Sequence, residues 1–226
     1  MKLNHLAIIM DGNRRWAVSN NLPPYRGHQK GAQNLWNFVN EIHNYSLKYW
    51  TVFVFSTENW KRSKKEITFL MELLNKFLDD TISKIKKENI RIRFIGDLSI
   101  FTEKIQNKLY FITNQSLNNT GVTISLALNY GGRMDIISGI NKILISKKKY
   151  KNIRENDFKN YTMNSDLPYP DLLIRTGGEK RLSNFLLWDL AYTELMFIDK
   201  MWPDFDKKTL DECINSFNKR VRNYGE

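Results

Sequence analysis

His5-Leu6-Ala7-Ile8-Ile9-Met10-Asp11-Gly12-Asn13-Arg14-Arg15-Trp16 begins as a buried strand and ends as a candidate site. Its apolar, branched first half has the pattern of a strand covered on both faces, as in a parallel sheet. The run then stops on a carboxylate and a glycine. In open α/β sheets, ligands sit beyond the carboxyl ends of the strands, which is where Asp11 falls. Gly12 permits a close turn whose peptide N–H groups face an anion. Arg14 and Arg15 suit phosphate oxygens, and Asp11 suits a hard divalent cation bridging to them. Taken alone, the same residues also describe an Asp-Gly turn with solvated arginines.

Working outward, strand-like and helix-like patterns alternate along the chain. Leu6–Met10, Thr51–Phe55, Ile90–Ile95, Val122–Leu128 and Asp171–Ile174 read as short buried strands. Helical spacing runs over Gln29–Tyr45, Glu66–Lys87, Thr102–Leu117, Arg133–Ser146 and Lys207–Arg222. This alternation predicts an α/β fold with a central, mostly parallel sheet flanked by helices. There is no internal repeat or Pro/Gly-rich linker, so residues 1–226 read as a single domain. The polar segment Lys147–Asn164 reads as a surface excursion.

Composition narrows the class. Aromatic content of 13% and hydrophobic content of 42% fit a chain with a substantial core, not a disordered one. The single cysteine, Cys213, rules out an internal disulfide or a cysteine metal cluster and suits a reducing compartment. No apolar stretch approaches the roughly 18–20 residues of a membrane span, and too few apolar residues precede Asp11 for a signal peptide. The expected location is the cytoplasm. The net charge of +11 suits nucleic acid, an anionic membrane surface or polyphosphorylated substrates, and does not choose among them. Runs such as Lys86-Lys87 and Lys147-Lys148-Lys149 fit solvated faces.

Three further constellations lie at predicted strand ends. Ser56-Thr57-Glu58-Asn59-Trp60-Lys61-Arg62 gathers hydroxyls, a carboxylate, an amide, an indole and an arginine, although a helix cap with a packed tryptophan would look alike. Asn129-Tyr130-Gly131-Gly132-Arg133 repeats the pattern of a strand leading into glycines and a cation. In Arg175-Thr176-Gly177-Gly178-Glu179-Lys180-Arg181-Leu182-Ser183-Asn184, two arginines and a serine flank a Gly-Gly turn, a candidate holder for a diphosphate.

Together with Gly27-His28 and Trp202-Pro203-Asp204-Phe205-Asp206, these blocks resemble, in order, the signature blocks of the cis-prenyltransferases. Within that family the nearest group is the bacterial undecaprenyl diphosphate synthases. The resemblance spans nearly the whole chain. It implies repeated cis condensation of isopentenyl diphosphate onto an allylic primer such as farnesyl diphosphate, giving a long polyprenyl diphosphate that serves as a lipid carrier precursor for cell-wall synthesis. It also implies Mg²⁺, a homodimer and a hydrophobic tunnel for the growing chain.

By the same resemblance, Asp11 corresponds to the essential metal-binding carboxylate and Glu194 to a second acidic residue linked to Mg²⁺. Gly12, Asn13, Arg14 and Arg15 correspond to the holder of the allylic diphosphate, Trp16 to a substrate-lining aromatic, and His28 to a histidine near that diphosphate. Ser56, Thr57, Glu58, Asn59, Trp60 and Arg62 match the loop that closes over the substrates, with Asn59 a participant in proton removal. Arg175, Arg181, Leu182 and Ser183 match the isopentenyl diphosphate site. Two departures stand out. Pro24 replaces an arginine common in the family, with Arg26 the nearby substitute, and Lys180 replaces a metal-contacting histidine of some members. A protonated lysine cannot ligate Mg²⁺.

The chemistry agrees with the residues. Ionising an allylic diphosphate requires stabilisation of the leaving group's charge, which arginines and Mg²⁺ supply. No general base stands out, so the proton acceptor stays open, the diphosphate oxygen itself, aided by Asn59, being one candidate. Asp79-Asp80-Thr81-Ile82-Ser83 does not complete the DDxxD motif of trans-prenyltransferases, and no GxxxxGK[ST] loop is present. On the stretch Glu66–Lys87, Leu70, Leu73, Leu74, Phe77, Leu78 and Ile85 form one broad apolar face, which reads either as tunnel wall or as packing on the sheet. Two other readings are a basic nucleic-acid-binding protein and a non-catalytic partner subunit of a prenyltransferase pair. The first finds no binding motif in the chain, so nucleic acid is not an expected partner. The second is weakened because Asp11, Asn59, Arg62, Arg175 and Glu194 are all retained. A product of many isoprene units predicts peripheral contact with a membrane at release. The C-terminal run Lys219–Gly225 suggests chain ends near the active sites of a dimer.

Overall fold

A computed structural model of the protein describes residues 3–85, 87–146 and 150–220. Six strands form one sheet in the order β3-β4-β2-β1-β5-β6. They are β1 (His5–Ile9), β2 (Tyr49–Ser56), β3 (Arg91–Ile95), β4 (Thr123–Tyr130), β5 (Leu172–Arg175) and β6 (Glu194–Phe197). All five neighbouring pairs are parallel. The helices are α1 (Asn13–Ser19), α2 (Pro24–Glu41), α3 (Lys64–Lys84), α4 (Glu103–Ser116), α5 (Gly132–Ile145), α6 (Glu155–Lys159) and α7 (Lys207–Asn218).

Strand alternation divides the core in two. Leu6, Ile8, Trp50, Val52, Ile124, Leu126 and Ile174 join one large cluster that includes Trp202 and residues of α2, α3, α4 and α7. Ala7, Ile9, Ala127, Leu173, Phe185 and Leu186 form the smaller cluster of the other face. The middle strands β2, β1 and β5 lie side by side, so Ser56, Asp11 and Thr176 stand at three adjacent strand ends. The pairing of β2 with β4 shifts register between Phe53 and Ser56, an irregularity at the mouth of the site.

Several boundaries differ from the expected ones. α2 begins at Pro24, five residues before the periodic stretch, because a proline at the first helical position gives up no hydrogen bond there. The short helix α1 and the edge strand β6 were absent from the pattern; each is too short to show a period. The expected helix Lys207–Arg222 ends at Asn218, and residues 221–226 lie outside the described residues, as do Lys86 and Lys147–Lys149. Of the rest of the expected surface excursion, residues 151–156 are exposed as expected, whereas the stretch after them docks. Phe158 on α6 is buried against Trp188, with ring centroids 4.5 Å apart, and Thr162 and Asn164 are buried as well.

Candidate active site

Asp11 leaves β1 tied on both sides. Its N–H donates to Thr176 Oγ1 (2.9 Å), the Thr176 hydroxyl donates back to the Asp11 carbonyl (2.7 Å), and the Trp202 N–H donates to that carbonyl too (3.0 Å). Gly12, at φ 100°, turns the chain into α1 and donates its N–H to Asp11 Oδ1 at 2.7 Å. Arg175 Nη2 donates to Asp11 Oδ2 at 2.7 Å, and Arg15 stands 3.5 Å from Oδ1. Burial pushes the Asp11 carboxyl up. The hydrogen bonds from Arg175 and Gly12 and the two guanidinium charges outweigh that, leaving it below its usual value.

Arg175 is 3% exposed and organises the loop after β5. Its Nη1 donates to Ser183 Oγ (2.8 Å) and to the Arg181 carbonyl, while its Nε is buried without a hydrogen-bond partner. Arg181 pairs with Glu179, which also lies 3.5 Å from Arg15. A cavity of about 590 Å³ opens here, lined by Asp11, Arg175, Arg181 and Ser183 on one side and Ser56, Glu58, Asn59 and Arg62 on the other. A second, of about 290 Å³, is lined by Asp11, Gly12, Asn13, Arg14, Arg15, His28, Arg62 and Glu66. The two share Met10, Asp11, Asn13, His28 and Arg62, so Asp11 stands at the junction of two basic compartments.

Glu66 holds the far wall. Arg62 Nη1 donates to Glu66 Oε1 at 3.0 Å, and His28 Nε2 lies 3.8 Å from the same oxygen. Burial, with the Arg62 and Arg14 charges, lowers the His28 pKa to about 4, so the ring is neutral at pH 7. Behind Met10, Asn13 and His28 lies an apolar cavity of about 100 Å³ between α2, α3 and the sheet. Leu70, Met71, Leu73, Leu74 and Phe77 line it, whereas Leu78 and Ile85 are core residues. The two readings of the α3 stripe therefore both hold, at different residues.

Not every expected site residue reaches these cavities. Trp16 is half-buried outside their linings. Arg26, the expected substitute for the arginine replaced at Pro24, is exposed outside the cavity linings, donates to Gln29 and stacks on Tyr25. Thr57 and Leu182 lie beside the site and not in its lining, Leu182 against the smaller core cluster. Trp60 turns away, donating to Asn129 Oδ1 at 2.9 Å and packing on Phe55. Glu194 lies at the opposite end of the sheet. It pairs with Leu172, level with Leu6, and accepts from Arg220 at 2.6 Å, so within one chain it does not join Asp11 at a metal. Among the described residues no three His, Cys, Asp or Glu side chains cluster as a metal site. Glu66 and Asn184 line the cavities and were not singled out. Glu66 stands in the first turn of α3 and Arg62 precedes that helix, so no helical spacing in the sequence points to their pairing.

A family described as putative undecaprenyl diphosphate synthase matches residues 9–225. The chain belongs to the undecaprenyl diphosphate synthase family. Among the members of this family, an isoprenyl transferase of Thermotoga maritima is 44% identical over 223 residues, covering 98% of this chain and 96% of that one. A farnesyl-diphosphate-specific ditrans,polycis-undecaprenyl-diphosphate synthase of Buchnera aphidicola is 44% identical over 227 residues, covering 99% and 91%. Among solved structures, lavandulyl diphosphate synthase from Lavandula x intermedia, in complex with dimethylallyl diphosphate, superposes with a TM-score of 0.95 at 36% identity, covering 100% and 99%. A probable undecaprenyl diphosphate synthase from Campylobacter jejuni gives 0.84 at 32%, covering both chains fully.

Proposed function

We propose that this protein condenses isopentenyl diphosphate with an allylic diphosphate, farnesyl diphosphate being the primer, in successive cis additions that build a long polyprenyl diphosphate of the undecaprenyl type. One observation carries the reading: Asp11 joins two basic compartments that border an apolar cavity. The compartment of Arg14, Arg15, His28 and Arg62 suits the allylic diphosphate, whose departing charge the arginines stabilise as its C–O bond breaks. Arg175, Arg181 and Ser183 suit the diphosphate of the five-carbon unit. Asn59 borders the space between them and can orient the proton lost from that unit toward a diphosphate oxygen. Neutral His28 donates or accepts one hydrogen bond there without adding charge.

Mg²⁺ fits this donor set. Asp11 is the carboxylate shared by both compartments, and Mg²⁺ is commonly held by one or two carboxylates plus substrate phosphates. Bound there, it would offset the developing charge on the leaving diphosphate. The apolar cavity is smaller than the roughly 150 Å³ that accommodates benzene, so chain growth requires α2 and α3 to part.

The homodimer is supported by Ile137, Ile140 and Leu144 of α5, spaced on one helical face and exposed, Leu144 by 76%. Peripheral membrane contact is supported by exposed Val18, Leu22 and Tyr25 at the α1–α2 turn. Residues 12–40 around that turn carry four cations and no acid. No helix among the described residues is long and apolar enough to cross a bilayer. The direct test incubates purified protein with farnesyl diphosphate and labelled isopentenyl diphosphate, with and without a chelator. Label entering butanol-extractable product only without chelator is the expected result; no incorporation in either arm refutes the reading.

A further inference from the structure

Asn184 has three hydrogen bonds that meet at one corner. Its carbonyl accepts from Gly132 N–H (2.6 Å) and its Oδ1 from Arg133 N–H (2.9 Å), so the start of α5 fixes the amide. That leaves Nδ2 facing outward, where it donates to Glu58 Oε1 at 3.0 Å. The backbone is left-handed (φ 64°), a conformation asparagine tolerates. Gly131 leaves room for the bridge: a Cβ there would lie 2.7 Å from Asn184 Nδ2 and 2.9 Å from Thr57 Oγ1. Glu58 sits on the turn Thr57–Lys61, one residue before Asn59, whose Oδ1 accepts from Ser56 N–H at 3.1 Å. Asn184 directly follows Ser183, which holds Arg175.

We propose that Asn184 is a positioning residue: by clamping Glu58 it ties the corner of Arg175, Arg181 and Ser183 to the turn that carries Asn59 and Arg62. The inference rests on the substrate assignment proposed above, because only then does the clamp join the isopentenyl diphosphate corner to the loop that acts on it. A second asparagine steadies the other side of the turn. Trp60 donates to Asn129, and Asn129 Nδ2 donates to the Asp97 carbonyl at 2.8 Å. Burial pushes the Glu58 carboxyl up, but hydrogen bonds from Asn184, its own backbone, Ser56 and Thr57 hold it below its usual value.

The test is steady-state condensation by the full chain over a range of pH, with Asn184→Gly and Asn184→Asp. Glycine keeps the left-handed backbone and the carbonyl acceptor and removes the amide. Aspartate keeps the acceptor for Arg133 N–H and turns a carboxylate oxygen toward Glu58. Both variants are expected to lower kcat about ten- to a hundredfold at neutral pH, the scale of a lost hydrogen bond to a charged group. KM for the allylic substrate should move little.

Only Asn184→Asp should recover as pH falls, when one proton shared between the two carboxylates restores a hydrogen bond. The charged groups nearest in sequence to this corner are Arg133 and Asp135 on α5, Glu179, Lys180 and Arg181 after β5, and Lys61 and Arg62 beside Glu58. Asp11, His28 and Arg175 line the cavity beyond. The excess of cations places the recovery below neutrality. Adding Glu58→Gln to Asn184→Asp restores a donor–acceptor pair in the opposite sense and should abolish the low-pH recovery, because no proton then needs to be shared. Wild-type kcat in both single variants overturns the proposal, as does loss of rate in Asn184→Asp with a wild-type pH profile. A wild-type chain that transfers no five-carbon unit removes the substrate assignment instead, and the inference with it.

Discussion

Asp11→Asn separates the two roles of this carboxylate. In the folded protein Oδ2 takes a 2.7 Å hydrogen bond from Arg175, which is 3% exposed, while the Asp11 side chain is 30% exposed. Asparagine preserves the volume and removes the counter-charge. Breaking a fully buried pair costs about 3–5 kcal/mol, and water at Asp11 reduces that to about 1–3 kcal/mol. For a chain of this size that is a fall in Tm of about 2–12 °C. The sign with pH follows from the lowered Asp11 pKa. Its contribution is complete above the unfolded carboxylate value of about 3.9 and is lost as pH falls through the folded value, a loss the Asn variant lacks. Activity should fall much further than stability. Without a carboxylate to share a cation with the diphosphate, several kcal/mol of transition-state stabilisation disappear, and kcat drops about a thousandfold or more. Calorimetry with circular dichroism establishes the fold, and labelled isopentenyl diphosphate gives the rate. A folded variant with kcat within about tenfold of wild type would refute the reasoning.

The Arg181 side chain pairs with partly exposed Glu179, and its carbonyl, which accepts from buried Arg175, survives truncation, so Arg181→Ala should leave Tm unchanged. It should raise the apparent KM for isopentenyl diphosphate about ten- to a hundredfold, and that for farnesyl diphosphate less; equal increases would mean the compartments are misassigned. Burial holds both His5 and His28 at a pKa of about 4. The unfolded chain gains these protons near pH 6.5, so stability from both is complete above that value and declines as pH falls toward 4. Ring resonances titrating near 6.5 in an NMR experiment would contradict this. Ile140→Asp with Leu144→Asp should convert a dimer to a monomer in sedimentation, and an unchanged mass would exclude that face. Vesicles rich in phosphatidylglycerol should bind the protein less as salt rises, and less with Val18→Asp and Leu22→Asp. Binding insensitive to both would remove the α1–α2 turn as the contact.

The sheet was legible because its middle strands are continuous apolar runs ending on Asp11, Ser56 and Arg175, the pattern of strands buried on both faces. β6 was not, because Glu194-Leu195-Met196-Phe197 is a four-residue edge strand without a fully buried position. Motifs fixed which residues stand near the strand ends but not where their side chains point. Asp11, Arg175 and Ser183 converge, while Trp60, in the same kind of block, turns back to Asn129. Glu194 shows the sharper limit: its motif matches, yet strand register sets it at the far end of the sheet. Asn184 reaches a partner distant in sequence and Glu66 one that precedes its helix, contacts that only the assembled fold reveals.

Product analysis by mass spectrometry tests the central claim most directly. Purified protein given farnesyl diphosphate, excess isopentenyl diphosphate and Mg²⁺ should yield a series of polyprenyl diphosphates rising in five-carbon steps well beyond the primer. Recovery of both substrates unchanged, or of a product that ends after a single condensation, would contradict the account.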